Sequence, residues 1–311
     1  MEAARAAVLD EAGLGPGDRL GSGGEAEVYA LDDARVLRLH RQPSADHARA
    51  VAELCASLDR AAVPYALPEV LEVHEREGVS WSVERRLPGR PLDSLLPTLR
   101  GAVRAEALTA YLEGAAAFGA LGLPRGWPGG CGELFTAEHL RAERWGDLLA
   151  DRLRLQLAQA RAVLATTVPA LDDVARRLAG EARLEEPAGP PCLVHGDWFP
   201  GNVLVGEDLQ VTAALDLGWL TVVGDPGHDV RSAAVFLEVR PWGQAGDDAI
   251  VLGAARRLLG PDAGDLVDRT RRFEQARFAF VDEDEHLHRW CVAGLRAVAE
   301  EVLGDQHRGH L

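Results

Sequence analysis

Two short apolar runs, Leu193-Val194 and Val203-Leu204-Val205, enclose the segment His195-Gly196-Asp197-Trp198-Phe199-Pro200-Gly201-Asn202. Shortly after, Val211 to Leu215 forms another apolar run and ends in Asp216-Leu217-Gly218. Apolar and β-branched runs bounded by Gly, Pro and Asp read as strands joined by tight loops. The pattern therefore sets three oxygen-bearing side chains, Asp197, Asn202 and Asp216, at strand ends in consecutive loops. An Asp so placed can accept the proton of a hydroxyl, and an Asn with a second Asp offers hard oxygen donors that suit Mg²⁺. Either loop alone is common, because Asp, Asn, Pro and Gly also serve as plain turn residues. Both together, in this order and at this separation, are not.

At 311 residues the chain exceeds the size at which single cores stop growing, so two lobes are expected. A hydrophobic content of 47% with 26% charged residues is that of a soluble globular protein. The formal charge of −16 repels phosphate backbones and argues against a nucleic-acid partner. It would attract a cationic substrate, or it serves solubility alone. Cys55, Cys131, Cys192 and Cys291 are scattered and form no CxxC pair, so neither a disulfide framework nor a thiolate metal site is suggested. Met1 to Leu20 carries Glu2, Arg5, Asp10, Glu11 and Asp18 and lacks the apolar stretch of a signal peptide. No run approaches the ~20 apolar residues of a membrane span; Tyr111 to Leu123 is interrupted by Glu113. These features predict a reduced, cytoplasmic protein that does not engage a membrane; the sequence is silent on oligomeric state, and a monomer is the default.

Along the chain, Val28 to Leu31, a turn at Asp32-Asp33, and Val36 to Leu39 read as a hairpin. From an N-cap at Ser44, His47 to Leu58 reads as a helix with Val51, Leu54 and Leu58 on one face. Val70 to Val73 and Val79 to Val83 are two further strands. Pro88-Gly89-Arg90-Pro91 is the expected boundary between an N-terminal lobe, 1–87, and a helical C-terminal lobe, 88–311. Arg141 to Leu178 is predicted as one or two long helices with Leu149, Leu153, Leu157 and Leu164 in the core. Glu185 to Pro191 ends them, and Leu252, Leu258, Leu259 and Leu266 are core candidates of a helical C-terminal region.

His195-x-Asp197, four residues and Asn202 reproduce the catalytic-loop spacing of kinases, in which the Asp is the base and the Asn reaches Mg²⁺. Asp216-Leu217-Gly218 fills the slot of the second metal ligand. Ahead of the hairpin, Gly21-Ser22-Gly23-Gly24 can expose backbone N–H groups to phosphate oxygens, although glycine clusters also mark ordinary turns. Arg38 stands where kinases place a phosphate-gripping Lys, and Glu53 on the next helix is its candidate ion-pair partner; solvated surface charge is the alternative for both. Asp225-Pro226 suits a helix start, with the carboxylate capping free N–H groups and Pro in the first turn. Asp229 is placed to brace the catalytic loop.

His195-Gly196-Asp197 through Asn202, Asp216-Leu217-Gly218 and Asp225-Pro226-x-x-Asp229 together resemble the aminoglycoside phosphotransferase family, with its macrolide-phosphorylating and choline-kinase-like relatives. The motif block covers Leu193 to Val230 closely; Gly21 to Arg38 and Leu87 to Leu92 match more loosely. The resemblance implies an α+β, two-lobed protein-kinase-like fold, with ATP or GTP in the cleft and an acceptor site in the helical lobe. It carries over Asp197 as catalytic base, Asn202 and Asp216 as Mg²⁺ ligands, and His195 as structural support. Arg38 departs from the Lys of many members. The short interval from Gly218 to Asp225 leaves no long regulatory loop, which argues against a protein substrate. Backbone near Glu84 to Leu87 is expected to read the nucleotide base.

The acceptor implied is a hydroxylated small molecule, cationic if it is an aminoglycoside-like antibiotic. A sugar or amino-alcohol metabolite is the alternative, and a nucleotide-binding pseudokinase a third reading, favoured only by Arg38. Asp282-Glu283-Asp284-Glu285 is either a solvated acidic turn or part of the acceptor pocket. His286-x-His288 without further ligand spacing is weak evidence for a metal, and His228 reads as a helix-start residue rather than a catalyst.

Overall fold

The computed structural model describes residues 2–41, 45–136 and 139–308. Ser44, the expected helix cap, lies outside them. Helix α1 (Glu2–Glu11) is followed by strands β1 (Arg19–Ser22), β2 (Ala26–Ala30) and β3 (Arg35–His40), helix α2 (Ala45–Ser57), and strands β4 (Val70–Arg76) and β5 (Val79–Arg85). Among the described residues these strands form one antiparallel sheet in the order β1-β2-β3-β5-β4. The β2–β3 turn closes because the Asp32 carboxylate accepts from the N–H groups of Ala34 and Arg35, a local bond that Asp makes readily. Side chains of β3 then alternate. Leu37 and Leu39 pack with Val8, Tyr29 and Val79 under α1, while Val36, Arg38 and His40 face a cleft.

The chain leaves this sheet at Arg85, and β6 (Arg90–Pro91), α3 (Leu92–Leu95) and α4 (Gly101–Phe118) follow. Strands β7 (Cys131–Glu133) and β8 (Arg141–Ala142) precede α5 (Trp145–Gln159), α6 (Arg161–Leu164) and α7 (Leu171–Ala182). Next come β9 (Cys192–Val194), β10 (Val203–Val205), β11 (Val211–Ala214) and β12 (Val222–Gly224), then α8 (His228–Phe236), α9 (Asp247–Leu259), α10 (Ala263–Arg277) and α11 (Glu285–Arg308). The whole is α+β, with a β-sheet N-terminal part and a helical C-terminal part. No described helix is long and apolar enough to cross a membrane.

Helix α4 is the centre of the helical part. Leu108, Tyr111, Leu112, Ala115 and Phe118 are fully buried in one core with residues of α8 and α9. A buried leucine of this kind stabilises by about 1.5–3 kcal/mol. The expected long helices over Arg141 to Leu178 are instead β8, α5, α6 and α7. The break falls where Thr166-Thr167-Val168-Pro169 combines stiff β-branched side chains with a residue that has no N–H, and Ala170 turns left-handed (φ +49°). Leu149, Leu153, Leu157 and Leu164 are buried as expected. Leu258 is not: the face of α9 that meets α4 carries Ala254 and Ala255, and Leu258 points to solvent.

Strands β9 and β10 flank the His195–Asn202 loop but belong to different sheets. Strand β9 pairs with β12 in the order β8-β7-β12-β9, and β10 lies between β11 and β6. The loop thus crosses from one small sheet to another. A bridge from Ala66 to Ala213 ties it to the N-terminal part, with Ala66 N–H donating to Thr212 O at 2.9 Å.

Candidate active site

Between the five-stranded sheet and β10–β11 lies a cleft of about 370 Å³. It is lined by apolar side chains (Leu20, Val28, Val36, Leu87, Leu204, Leu215) and by charged ones that include Glu25, Arg38, Glu84 and Asp216. Glu84 to Leu87 line the cleft, and one Glu84 oxygen accepts from the Ser82 hydroxyl at 2.7 Å.

Arg38 projects from β3 opposite Ser82. It pairs with Asp216 at the cleft floor and with Glu25 at 3.5 Å. Burial favours the neutral guanidinium, but the carboxylates of Asp216 and Glu84 outweigh it and raise the pKa, so Arg38 stays charged. Glu53 does not form the expected ion pair. It sits on the exposed face of α2, whose inward face presents His47, Ala48 and Val51 to the cleft. In its place, His47 stacks flat on Trp219 (3.8 Å between ring centres, 2° between planes), with Phe135 edge-on.

In the glycine turn, Gly21 and Glu25 line the cleft. Gly23 and Gly24 are exposed, and Arg41 donates to the Ser22 hydroxyl (2.7 Å) and the Gly23 carbonyl (2.8 Å). Glu25 is pushed up to about 7, first by burial and then by facing Asp216. Asp216 has φ +63°, a left-handed conformation that Asp tolerates better than most residues. Burial raises its pKa, but the charge and hydrogen bond of Arg38 prevail and hold it low.

Asp197 is set by a loop in which each backbone polar group from 195 to 197 has a partner. His195 N–H and Gly196 N–H both donate to the Asp229 carboxylate, at 2.7 and 2.9 Å. The Thr221 hydroxyl donates to His195 O at 3.2 Å, and Arg277 donates to Gly196 O. Asp197 N–H donates to His195 Nδ1 (3.2 Å), and the ring's Nε2–H donates to Leu215 O (2.7 Å). Asp197 O accepts from Phe199 N–H and from the Asn202 amide. Gly196 has φ +78°, and a Cβ there would collide with the Leu220 carbonyl, so only glycine fits. Burial pushes Asp197 up to about 6. The Asn202 amide donates to its carboxylate at 2.9 Å, leaving Asn202 Oδ1 as the atom a cation could use.

Asp225 does not cap α8. That helix starts at His228 with Gly227 as its cap, and Pro226 precedes the first turn. The Asp225 carboxylate instead accepts from Gly227 N–H and Ala188 N–H and pairs with the buried Arg231. In the acidic run, Asp284 accepts from His286 and Leu287 N–H at the start of α11 and is neutralised by Arg240. Glu285 faces Arg289 at 3.7 Å, and Asp282 and Glu283 are exposed. Sequence reasoning missed Glu25, His47, Trp219, Glu274 and Arg277. Glu25 and Trp219 adjoin recognised glycines, which was a usable signal. A charged residue between Ala276 and Phe278 was a weaker one.

A family model described as the phosphotransferase enzyme family matches residues 17–277. No curated protein sequence matches the chain. Among solved structures, it is similar to ADP-bound aminoglycoside phosphotransferase APH(2'')-Ib, with TM-score 0.62 and 13% identity over 91% of this chain and 93% of that one. It is also similar to APH(2'')-IIa in its gentamicin complex, with TM-score 0.61 and 14% identity over 89% of each chain. Macrolide 2'-phosphotransferase MphH from Brachybacterium faecium aligns with TM-score 0.55 and 19% identity over 93% of this chain and 97% of that one. These likenesses show the kinase-like α+β fold expected above. With the family model spanning the glycine turn, the cleft and the catalytic-loop motif, the chain belongs to the phosphotransferase enzyme family.

Proposed function

We propose that the chain moves the γ-phosphoryl of ATP or GTP, with Mg²⁺, to a hydroxyl of a small molecule, an aminoglycoside-like or other natural-product antibiotic. The observation that carries this reading is that Arg38 and Asp216 pair in the lining of the cleft, while Asp197, close enough to Asp216 to feel its charge, is held by the Asn202 amide. The apolar lining, Leu20, Val28, Val36, Leu204 and Leu215, suits a nucleoside base, with the backbone of Glu84 to Leu87 to read it. Arg38 and the backbone around Gly21 suit the phosphates.

Asp197 accepts the acceptor's proton. Its carboxyl, raised to about 6, is still ionised at neutral pH yet more basic than an ordinary Asp. Asn202, through its free Oδ1, and Asp216 would hold Mg²⁺, which would supply positive charge to offset that on the transferring group. Rate enhancement here is positioning and electrostatics, without a covalent protein intermediate. Support for an antibiotic acceptor comes from the fold neighbours, one of which is a gentamicin complex and another a macrolide phosphotransferase.

Mass spectrometry of pooled antibiotics, sugars and amino alcohols with Mg²⁺ and both nucleotides, beside Asp197→Ala, tests this. A phosphoryl mass gain on an antibiotic, absent with Asp197→Ala although nucleotide still binds, is the expected result. Gain on a sugar or amino alcohol reassigns the acceptor. No gain on any compound, with nucleotide bound, points to a pseudokinase.

A further inference from the structure

We propose that Arg277, on α10 and 81 residues downstream of Gly196, is a positioning residue that holds the Gly196 peptide and so fixes the place of Asp197 beside Asp216. The inference rests on the reading of Asp197 as base. Arg277 is 1% exposed, and its guanidinium donates to the Gly196 carbonyl. The opposite edge of the same residue, Gly196 N–H, is held by the Asp229 carboxylate from α8. One glycine is thus gripped through its two backbone polar groups by side chains of opposite charge from two helices. That residue adopts φ +78°, which leaves its carbonyl turned away from any strand partner; the contact that satisfies it comes from Arg277.

The guanidinium is itself oriented. Its other terminal nitrogen lies 3.3 Å from Glu274 Oε1 and 3.3 Å from His228 Nε2, and Glu274 also accepts from Ser232 at 2.9 Å. Glu274 is fully buried, and the charge of Arg277 heads the interactions that overcome burial and lower its pKa to about 2. A buried ion pair of this kind is weak evidence for stability, because apolar residues of similar volume would stabilise as well. What apolar residues would not supply is a donor for the Gly196 carbonyl. The rigid fork of arginine can serve that carbonyl and Glu274 together. Arg152 is the contrast: it is 3% exposed and pairs with Glu133 at 3.1 Å, but its contact is with Glu133 rather than with the catalytic loop.

The test is steady-state kinetics on the full chain with the acceptor found above, comparing wild type, Arg277→Met, Arg277→Lys and the charge-free pair Arg277→Met/Glu274→Gln. Arg152→Met/Glu133→Gln is the structural control, and active-site titration corrects every rate for folded enzyme. Arg277→Met should lower kcat by about 10²-fold, as misplacement of a reacting group by an ångström does, with nucleotide KM within about two-fold of wild type. Arg277→Lys, which keeps one donor, should recover part of kcat, and the control pair should lose thermal stability without that kcat loss. If Arg277→Met does not fold, the charge-free pair carries the same expectation. Unchanged kcat per folded molecule, or a loss matched by the Arg152 control, overturns the proposal. Turnover that survives Asp197→Ala instead overturns the base assignment on which it rests.

Discussion

Asp197 illustrates how one residue couples stability to chemistry. Its carboxyl is raised from 3.8 to about 6 by burial, so the folded state prefers the protonated form. A raised carboxyl stabilises nothing when ionised. Stability should therefore be highest at low pH with respect to this group and fall as pH rises from about 4 to about 6, by ~3 kcal/mol. Activity runs the other way, because the base must be ionised: kcat/KM should fall as pH drops through about 6. Asp197→Asn separates the two effects. The variant should be inactive but melt higher than wild type at pH 7, with the difference shrinking at pH 4.5 in paired thermal-denaturation curves. A variant that melts lower at pH 7 would mean that the Asn202 hydrogen bond outweighs desolvation. This environment was not legible in the sequence. The Asp-to-Asn spacing marks the loop, but the core beneath it is completed by Tyr111 and Phe118, which arrive from α4 to pack with Trp198.

At the level of elements, α2 shows a register that pattern alone did not resolve. The helix was readable from Val51, Leu54 and Leu58, but Glu53 lies one step off the face that meets the cleft. Arg38 consequently finds its partners on the glycine turn and the Asp216 loop, and α2 is held to that loop by the His47–Trp219 stack. Nucleotide titrations with two alanine variants distinguish the arrangements. Arg38→Ala should weaken kcat/KM for nucleotide by roughly 10²-fold, whereas Glu53→Ala should stay within about two-fold, as exposed charges do. Equal losses from both would restore the Arg38–Glu53 pairing.

For the whole molecule, the net charge of −16 sets a long-range field. It attracts a polycationic acceptor and repels the nucleotide, and both effects are screened within ~8 Å at physiological salt. Raising salt from about 20 to about 300 mM should therefore lower kcat/KM several-fold for a polycationic acceptor while leaving it level or raised for nucleotide. Initial rates across a salt series decide this. A salt-independent acceptor term would make the acidic surface a matter of solubility alone.

Local chemistry is what the sequence by itself determined. Strands, tight loops, the hairpin turn at Asp32 and the polar residues of the 195–202 and 216–218 loops follow from residue types and spacings of a few positions, where one residue constrains the next. Tertiary structure decided whatever depends on separations of tens to hundreds of residues. It joined Arg38 to Asp216, set Arg277 against Gly196, and paired Asp284 with Arg240. It also interrupted α5 to α7 and chose alanines over Leu258 for the α9 interface. The physical reason is that a charge or an apolar side chain carries no record of its partner. The partner is selected when helices and sheets pack, and buried polar groups must be satisfied by whatever that packing brings within reach.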